Sequence, residues 1–399
     1  MVNNKSLKTR IDNIVTRHKS MYGNTGPIQV FSAPGRVNII GEHTDYNGGY
    51  VLPAAIDMNI LAAVSTRTDR ELHLKSENIE EKVTAPIDGL KYDTQRNWGN
   101  FPLSIAWVLE KHGIKLPGAN ILFESTVPLG SGLSSSAAIE VLMMQAMLSL
   151  AGVTIDKKQI PRFCQEAENS FIGVKSGIMD QYIITFGKEN AAVYLDCESL
   201  EHRLIPFSSG ETTAIIVGNT KVKRELAKSA YNQRVDECAE GVRIFSKLSG
   251  RQNIKNLSNV TEEEFKTYRN ALPECIARRC EHVIFENQRV KLAVESLGKG
   301  DLATLGKLLL QSHASLRDLY EVSCHELDYM VEAFMQSGDV YGARMTGAGF
   351  GGSAIAFAKA DKAEEVVTAA QRYYEQKTGI KGDFYICKIS EGAGPILSY

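Results

Sequence analysis

Apolar and polar residues change rhythm several times along the chain, and each rhythm predicts an element. Leu7, Ile11, Ile14 and Val15 recur among charges over residues 4–22, the spacing of a surface helix with one buried stripe. Residues 28–33 form a short apolar run that ends at Pro34-Gly35, which predicts a strand and a turn. From Tyr50 to Arg67 the sequence is apolar and β-branched, as expected of strands crossing a core. Ile121–Val127 predicts another strand, followed by a loop at Pro128-Leu129-Gly130-Ser131-Gly132 and an apolar helix from Ser135 onward. The longest apolar stretch, Ala137 to Val153, is broken by Glu140, Gln145 and Ser149 and is too short to span a bilayer, so it predicts a buried helix. Residues 157–172 give a second helical pattern, and Leu195-Asp196 ends a strand pair near mid-chain.

The second half mixes predicted helices (221–247, 262–298, 301–315 and 324–336) with strands near 212–217, 353–358 and 383–389. Without a regular strand–helix–strand beat, this favours an α+β class over a doubly wound parallel sheet. At 399 residues the chain exceeds what one core usually serves, so two domains are expected, 1–205 and 206–399. No repeat or low-complexity tract interrupts it.

Charge and composition narrow the function. A net charge of −2 lacks the basic excess that a nucleic-acid or acidic-membrane footprint needs. The seven cysteines are scattered, with no CxxC pair and no zinc spacing, and read as reduced thiols of a cytoplasmic protein. The first ten residues are polar and lead into no apolar signal core.

Three stretches carry candidate chemistry. In the first, Pro34 to Gly49, the acidic and imidazole groups of Glu42, His43 and Asp45 arrive together beside glycines. Glycine lets backbone approach a ligand closely, and carboxylates on a short loop can accept hydrogen bonds from a vicinal diol. Arg36 adds a rigid positive fork for phosphate or developing negative charge. Read alone, the stretch fits a charged surface turn as well. A metal site is a poorer fit, because adjacent residues do not share one side of a strand. The second, Pro128 to Glu140, is a glycine- and serine-rich loop opening a helix, whose free N–H groups and positive dipole end suit an anion. It is neither a Walker A loop nor a protein-kinase glycine loop; an N-capped helix after a turn fits it equally. The third, Arg344 to Ser353, is again dense in glycine, as a backbone nest or a tight connection would be.

Together, these three loops in this order resemble the three motifs of the GHMP small-molecule kinases, and Gly35 to Tyr46 resembles the galactokinase-type signature of that family position for position. The resemblance runs from about residue 28 to 390. It implies a two-domain α+β fold, the N-terminal half like the second domain of ribosomal protein S5 and the C-terminal half ferredoxin-like, with the active site in the cleft between. It implies transfer of the γ-phosphate of ATP to O1 of galactose with Mg²⁺, by a protein that needs no membrane or nucleic-acid partner and works as a monomer.

The resemblance also assigns residues. Glu42, His43, Thr44 and Asp45 match the sugar-binding stretch, and Tyr231 a sugar-contacting tyrosine. Gly130, Ser131, Gly132, Leu133, Ser134, Ser135 and Ser136 match the ATP-phosphate loop, and Ser76, more faintly, a nucleotide contact. Ser136 and Glu168 match the Mg²⁺ ligands, and Asp180 the catalytic aspartate, with Arg36 beside it. By themselves Glu168 would read as a solvated helix face and Asp180 as a helix cap. Related kinases act on N-acetylgalactosamine, arabinose or mevalonate, and some relatives only sense sugar; the intact loops and Asp180 favour a working galactose enzyme. Arg224 or Arg234 could approach the cleft.

Overall fold

The computed structural model describes residues 6–23, 26–207, 212–222 and 227–398. Three sheets organise it. The largest has six strands, in the spatial order 394–398, 29–38, 53–67, 118–125, 71–76 and 79–86. All its neighbours are antiparallel except Glu71–Ser76 against Gly118–Ser125. The alternation of side chains along these strands separates two faces. Val30, Leu61, Ala63 and Leu122 face the helix Leu7–Tyr22, where Ile11, Ile14 and Val15 meet them. Phe31, Ala62, Val64, Ile121 and Phe123 face the opposite way, into a core shared with the helix Ser135–Ala151. That helix is apolar around its whole circumference, as a helix enclosed on all sides must be.

A four-stranded antiparallel sheet, in the order 340–346, 353–359, 213–219 and 383–387, builds the second half. Helices His325–Met335 and Ala363–Thr378 pack on it through Met330, Phe334, Val366 and Tyr374. A small sheet of Tyr50–Val51, Ala191–Asp196 and His202–Pro206 bridges the loop after the first strand to mid-chain. The chain then returns: Gly394–Ser398 pairs with Gln29–Asn38, so its last strand completes the first sheet.

Several predicted elements change on folding. The stretch 262–298 is two helices, Glu262–Tyr268 and Glu274–Gly298, separated at Pro273, which cannot continue a helix. The pattern over 157–172 is a helix, Gln159–Ala167, that widens into a π-turn at Glu168–Ile172 before Gly173 stops it. Residues 223–226 of the predicted 221–247 helix, Arg224 among them, lie outside the described residues. Arg234 turns away from the cleft, donating to Tyr320 O at 2.7 Å and Glu321 O at 3.1 Å. Arg279 is buried against Glu237, Leu319 O and Glu321.

Candidate active site

A cavity of about 230 Å³ lies between the two halves. Arg36, Glu42, His43, Asp45, Glu168 and Asp180 line one side, and Tyr231, Gly347 and Ala348 the other. Residues from all three glycine-rich stretches therefore converge on or beside it.

Arg36 leaves the end of the first strand and forks onto Asp180, with Nε–Oδ1 and Nη2–Oδ2 both 2.8 Å. Its third nitrogen donates to Gly132 O at 2.6 Å. Asp180 stands in the first turn of the helix Met179–Phe186, rather than capping it, and also accepts from the Ser134 hydroxyl. The cavity and the serine-rich loop thus meet at this ion pair.

The loop itself enters the helix through Ser134, held in the left-handed region at φ 60°. A non-glycine residue there costs roughly 1–2 kcal/mol. Leu133 is buried and its carbonyl accepts from Arg36 N at 3.2 Å, while the Ser131 hydroxyl turns back to Pro128 O at 2.8 Å. Gly130 and Gly132 are exposed, and Ser135 and Ser136 half-buried. Ala138 is the first residue of the helix whose N–H reaches back to a carbonyl, that of Ser134 at 2.9 Å. The N–H groups of Ser135, Ser136 and Ala137 precede it and, as the first of the helix, have no carbonyl one turn back inside it, as an anion site requires.

The first loop is fixed by the second half of the chain. Glu42 is buried and accepts from Arg344 Nη1 at 2.6 Å, Asn38 Nδ2 at 2.5 Å and Gly347 N at 2.7 Å. Burial pushes its pKa up, against the pull of Arg344. Behind it, Glu286 accepts from Gly41 N at 3.0 Å, Asn287 from Tyr50 N at 2.9 Å, and His282 Nε2 meets Glu42 O at 3.1 Å. The sequence reading missed these anchors. Their signal was present: Arg279, His282 and Glu286 recur at helical spacing beside Val283 and Val290, and all are buried.

His43 sits at φ 63° with both ring nitrogens engaged, Nδ1 with Tyr46 OH at 2.8 Å and Nε2 with Ala348 O at 3.1 Å. A carbonyl can only accept, so Nε2 carries the proton and Nδ1 accepts from Tyr46. Burial, reinforced by His282, lowers its pKa to about 3, so the ring is neutral. Tyr231 lies with its ring centroid 5.5 Å from that of His43. Asp45 is pressed against Gly177 and accepts weakly from Met179 N at 3.4 Å. Burial and the charge of Asp180 raise its pKa to about 7.

Glu168 is 8% exposed, not solvated, and begins the widened turn. Burial raises its pKa. One expected sugar contact stays outside the cavity. The Thr44 hydroxyl is spent inside its own turn, 2.8 Å from Gly41 O and 2.7 Å from Tyr50 O. Ser76 lies on a strand beside Phe123, where its hydroxyl accepts from Asn78 N at 3.2 Å.

Three family models match the chain: a galactokinase galactose-binding signature over residues 16–66, the GHMP kinases N terminal domain over 100–188 and the GHMP kinases C terminal over 293–376. A galactokinase of Fusobacterium nucleatum is 39% identical over 390 residues, covering 97% of this chain and 100% of its own. The chain belongs to the galactokinase family. A galactokinase of Clostridium beijerinckii is 42% identical over 371 residues, covering 92% of this chain and 94% of its own. The structure of Lactococcus lactis galactokinase complexed with galactose superposes with a TM-score of 0.92 at 34% identity, covering 97% of this chain and 100% of that one. A mevalonate kinase structure shares the fold alone, at a TM-score of 0.64 and 19% identity. The two-domain GHMP kinase fold expected of a galactokinase is therefore the fold found.

Proposed function

We propose that this galactokinase-family chain binds galactose in the cavity between its halves and ATP along the Gly130–Ser136 loop, and that Asp180 and Arg36 act where the two sites meet. The family reaction moves the γ-phosphate of ATP to O1 of galactose, giving galactose 1-phosphate and ADP, the first committed step of galactose catabolism by the Leloir pathway. The observation that carries the assignment is the three-way contact of Arg36, Asp180 and the loop residues Gly132 and Ser134.

Phosphoryl transfer asks mainly for positioning and charge neutralisation. Asp45, Tyr231 and the neutral His43 ring shape the sugar site, and Asp45 offers acceptors to sugar hydroxyls. Glu42 acts from behind, holding the first loop against Gly347. The N–H groups at the start of the Ser135–Ala151 helix bind phosphate oxygens. Asp180 takes the O1 proton, and Arg36 offers its charge to the developing alkoxide and to the passing phosphoryl oxygens.

Ser136 and Glu168 fit Mg²⁺. They supply hard oxygen donors, and the buried Glu168 carboxyl, hydrogen-bonded to the Gln181 amide, has no salt bridge among the described residues, so a bound cation would stabilise its charged form. When bound, Mg²⁺ offsets charge on the phosphates.

The protein acts on two small molecules as a cytoplasmic monomer, a setting in which seven free cysteines persist. Among the described residues no helix is long and apolar enough to cross a membrane. Phosphorus NMR of the product tests the regiochemistry. A phosphate on the anomeric carbon is expected; a 6-phosphate would overturn the placement of O1 at Asp180.

A further inference from the structure

Beside Glu168, which lines the cavity, lies a second buried carboxyl group, Glu140, that the proposed function does not use. Glu140 is fully buried on the helix Ser135–Ala151, one turn beyond Ser136 and therefore on the same face. Gln181, itself 1% exposed and next in sequence to Asp180, stands between the two acids. Its Nε2 donates to Glu168 Oε2 at 2.9 Å and to Glu140 Oε2 at 3.3 Å. An amide nitrogen carries two hydrogens, so one group serves one oxygen of each acid. Turned over, the amide would aim its carbonyl at Glu168.

A buried acid is costly where an apolar side chain would fill the same space. Glu140 has no salt bridge among the described residues, and its Oε1 has no hydrogen-bond partner. Among the described residues its one side-chain hydrogen bond is from the amide that also holds Glu168.

We propose that Glu140 and Gln181 are positioning residues for Glu168, Glu140 fixing the Gln181 amide and the amide fixing the direction of the Glu168 carboxylate. The inference rests on the reading of Glu168 as a Mg²⁺ ligand. Partners that orient a metal ligand typically change metal affinity by about 10–100-fold when removed.

The test is binding of Mn²⁺ with a non-hydrolysable ATP analogue, followed by electron paramagnetic resonance, with the KM for galactose measured in parallel. Gln181→Met and Glu140→Met should weaken Mn²⁺ binding roughly tenfold or more, and Glu140→Met, whose residue does not line the cavity, should leave the galactose KM little changed. Glu140→Gln keeps an oxygen that accepts from Gln181 and should bind Mn²⁺ like the parent. If Glu140→Met fails to fold, Gln181→Met and Glu140→Gln still decide. Loss of binding in Glu168→Gln but normal binding in Gln181→Met would overturn the positioning role alone. Normal binding in Glu168→Gln would overturn the Mg²⁺ reading and this inference with it.

Discussion

Arg36 and Asp180, 144 positions apart in the chain, meet through two parallel hydrogen bonds of 2.8 Å each. A guanidinium fork on a carboxylate fixes both groups in one plane. Because Arg36 also holds Gly132 O, the pair ties the candidate base to the loop that receives phosphate. Asp180→Asn keeps the shape but removes the charge and the proton acceptor. It should lower kcat by about 10²–10⁴-fold if Asp180 is the general base, in a variant shown by its thermal melt to be folded. A folded Asp180→Asn enzyme that retains most of its kcat would remove Asp180 from proton transfer.

Arg36→Lys replaces the fork by a point charge. It should lower kcat more than it raises the KM for galactose, because the lost bonds align Asp180 and the loop rather than the sugar. Steady-state kinetics on both substrates separate the two effects.

Asp45 is an acid whose folded pKa, about 7, lies above its ordinary 3.8 because of burial and Asp180. Between these values the folded state binds the extra proton, so this group's contribution to stability is present at low pH and lost as pH rises through 7. Asp45→Asn removes the effect. The variant should gain stability relative to the parent as pH rises from 4 to 8, by something on the order of a few kcal/mol. Thermal melts of both proteins across that range check the sign.

Gly177 has no room for a side chain, since a Cβ would overlap the Asp45 carboxylate. Gly177→Ala should displace Asp45 and cut kcat/KM for galactose at least about tenfold, a loss of roughly 1.4 kcal/mol. Gly298→Ala, where a Cβ would meet nothing within 4 Å, should leave kinetics unchanged and serves as the control.

The Arg344–Glu42 pair, fully buried at 2.6 Å, joins the third loop to the first. Removing one partner of a buried pair typically costs about 3–5 kcal/mol. Arg344→Met should lower the urea midpoint accordingly and weaken galactose binding, since Glu42 then loses its hold on the loop.

The spacing of apolar residues was enough to place the start of the first strand, the second-sheet strands 213–219, 353–359 and 383–387 and the enclosed helix after Ser134, but it ended the first strand at Pro34-Gly35, where the structure carries it on to Asn38 across a register shift, and it did not show the strand 340–346. It could not show that the stretch from 394 to 398 returns to the first sheet, because long-range pairing leaves no local period. Glu168 and Asp180 look like surface carboxylates in the sequence; only the family motif singled them out, and burial comes from packing across the chain. Thr44 matched the sugar stretch, yet its hydroxyl serves the turn that aims His43 and Asp45. The anchors His282, Glu286 and Arg344 were written as polar positions on buried faces, a pattern whose partners only the tertiary fold supplies.

The central claim is tested most directly by ADP release from ATP and Mg²⁺ in the presence of galactose, glucose, N-acetylgalactosamine or mevalonate. Rapid, saturable turnover with galactose and little with the others is the predicted result. Saturable galactose binding without ADP release would contradict it and make the protein a sugar sensor rather than a kinase.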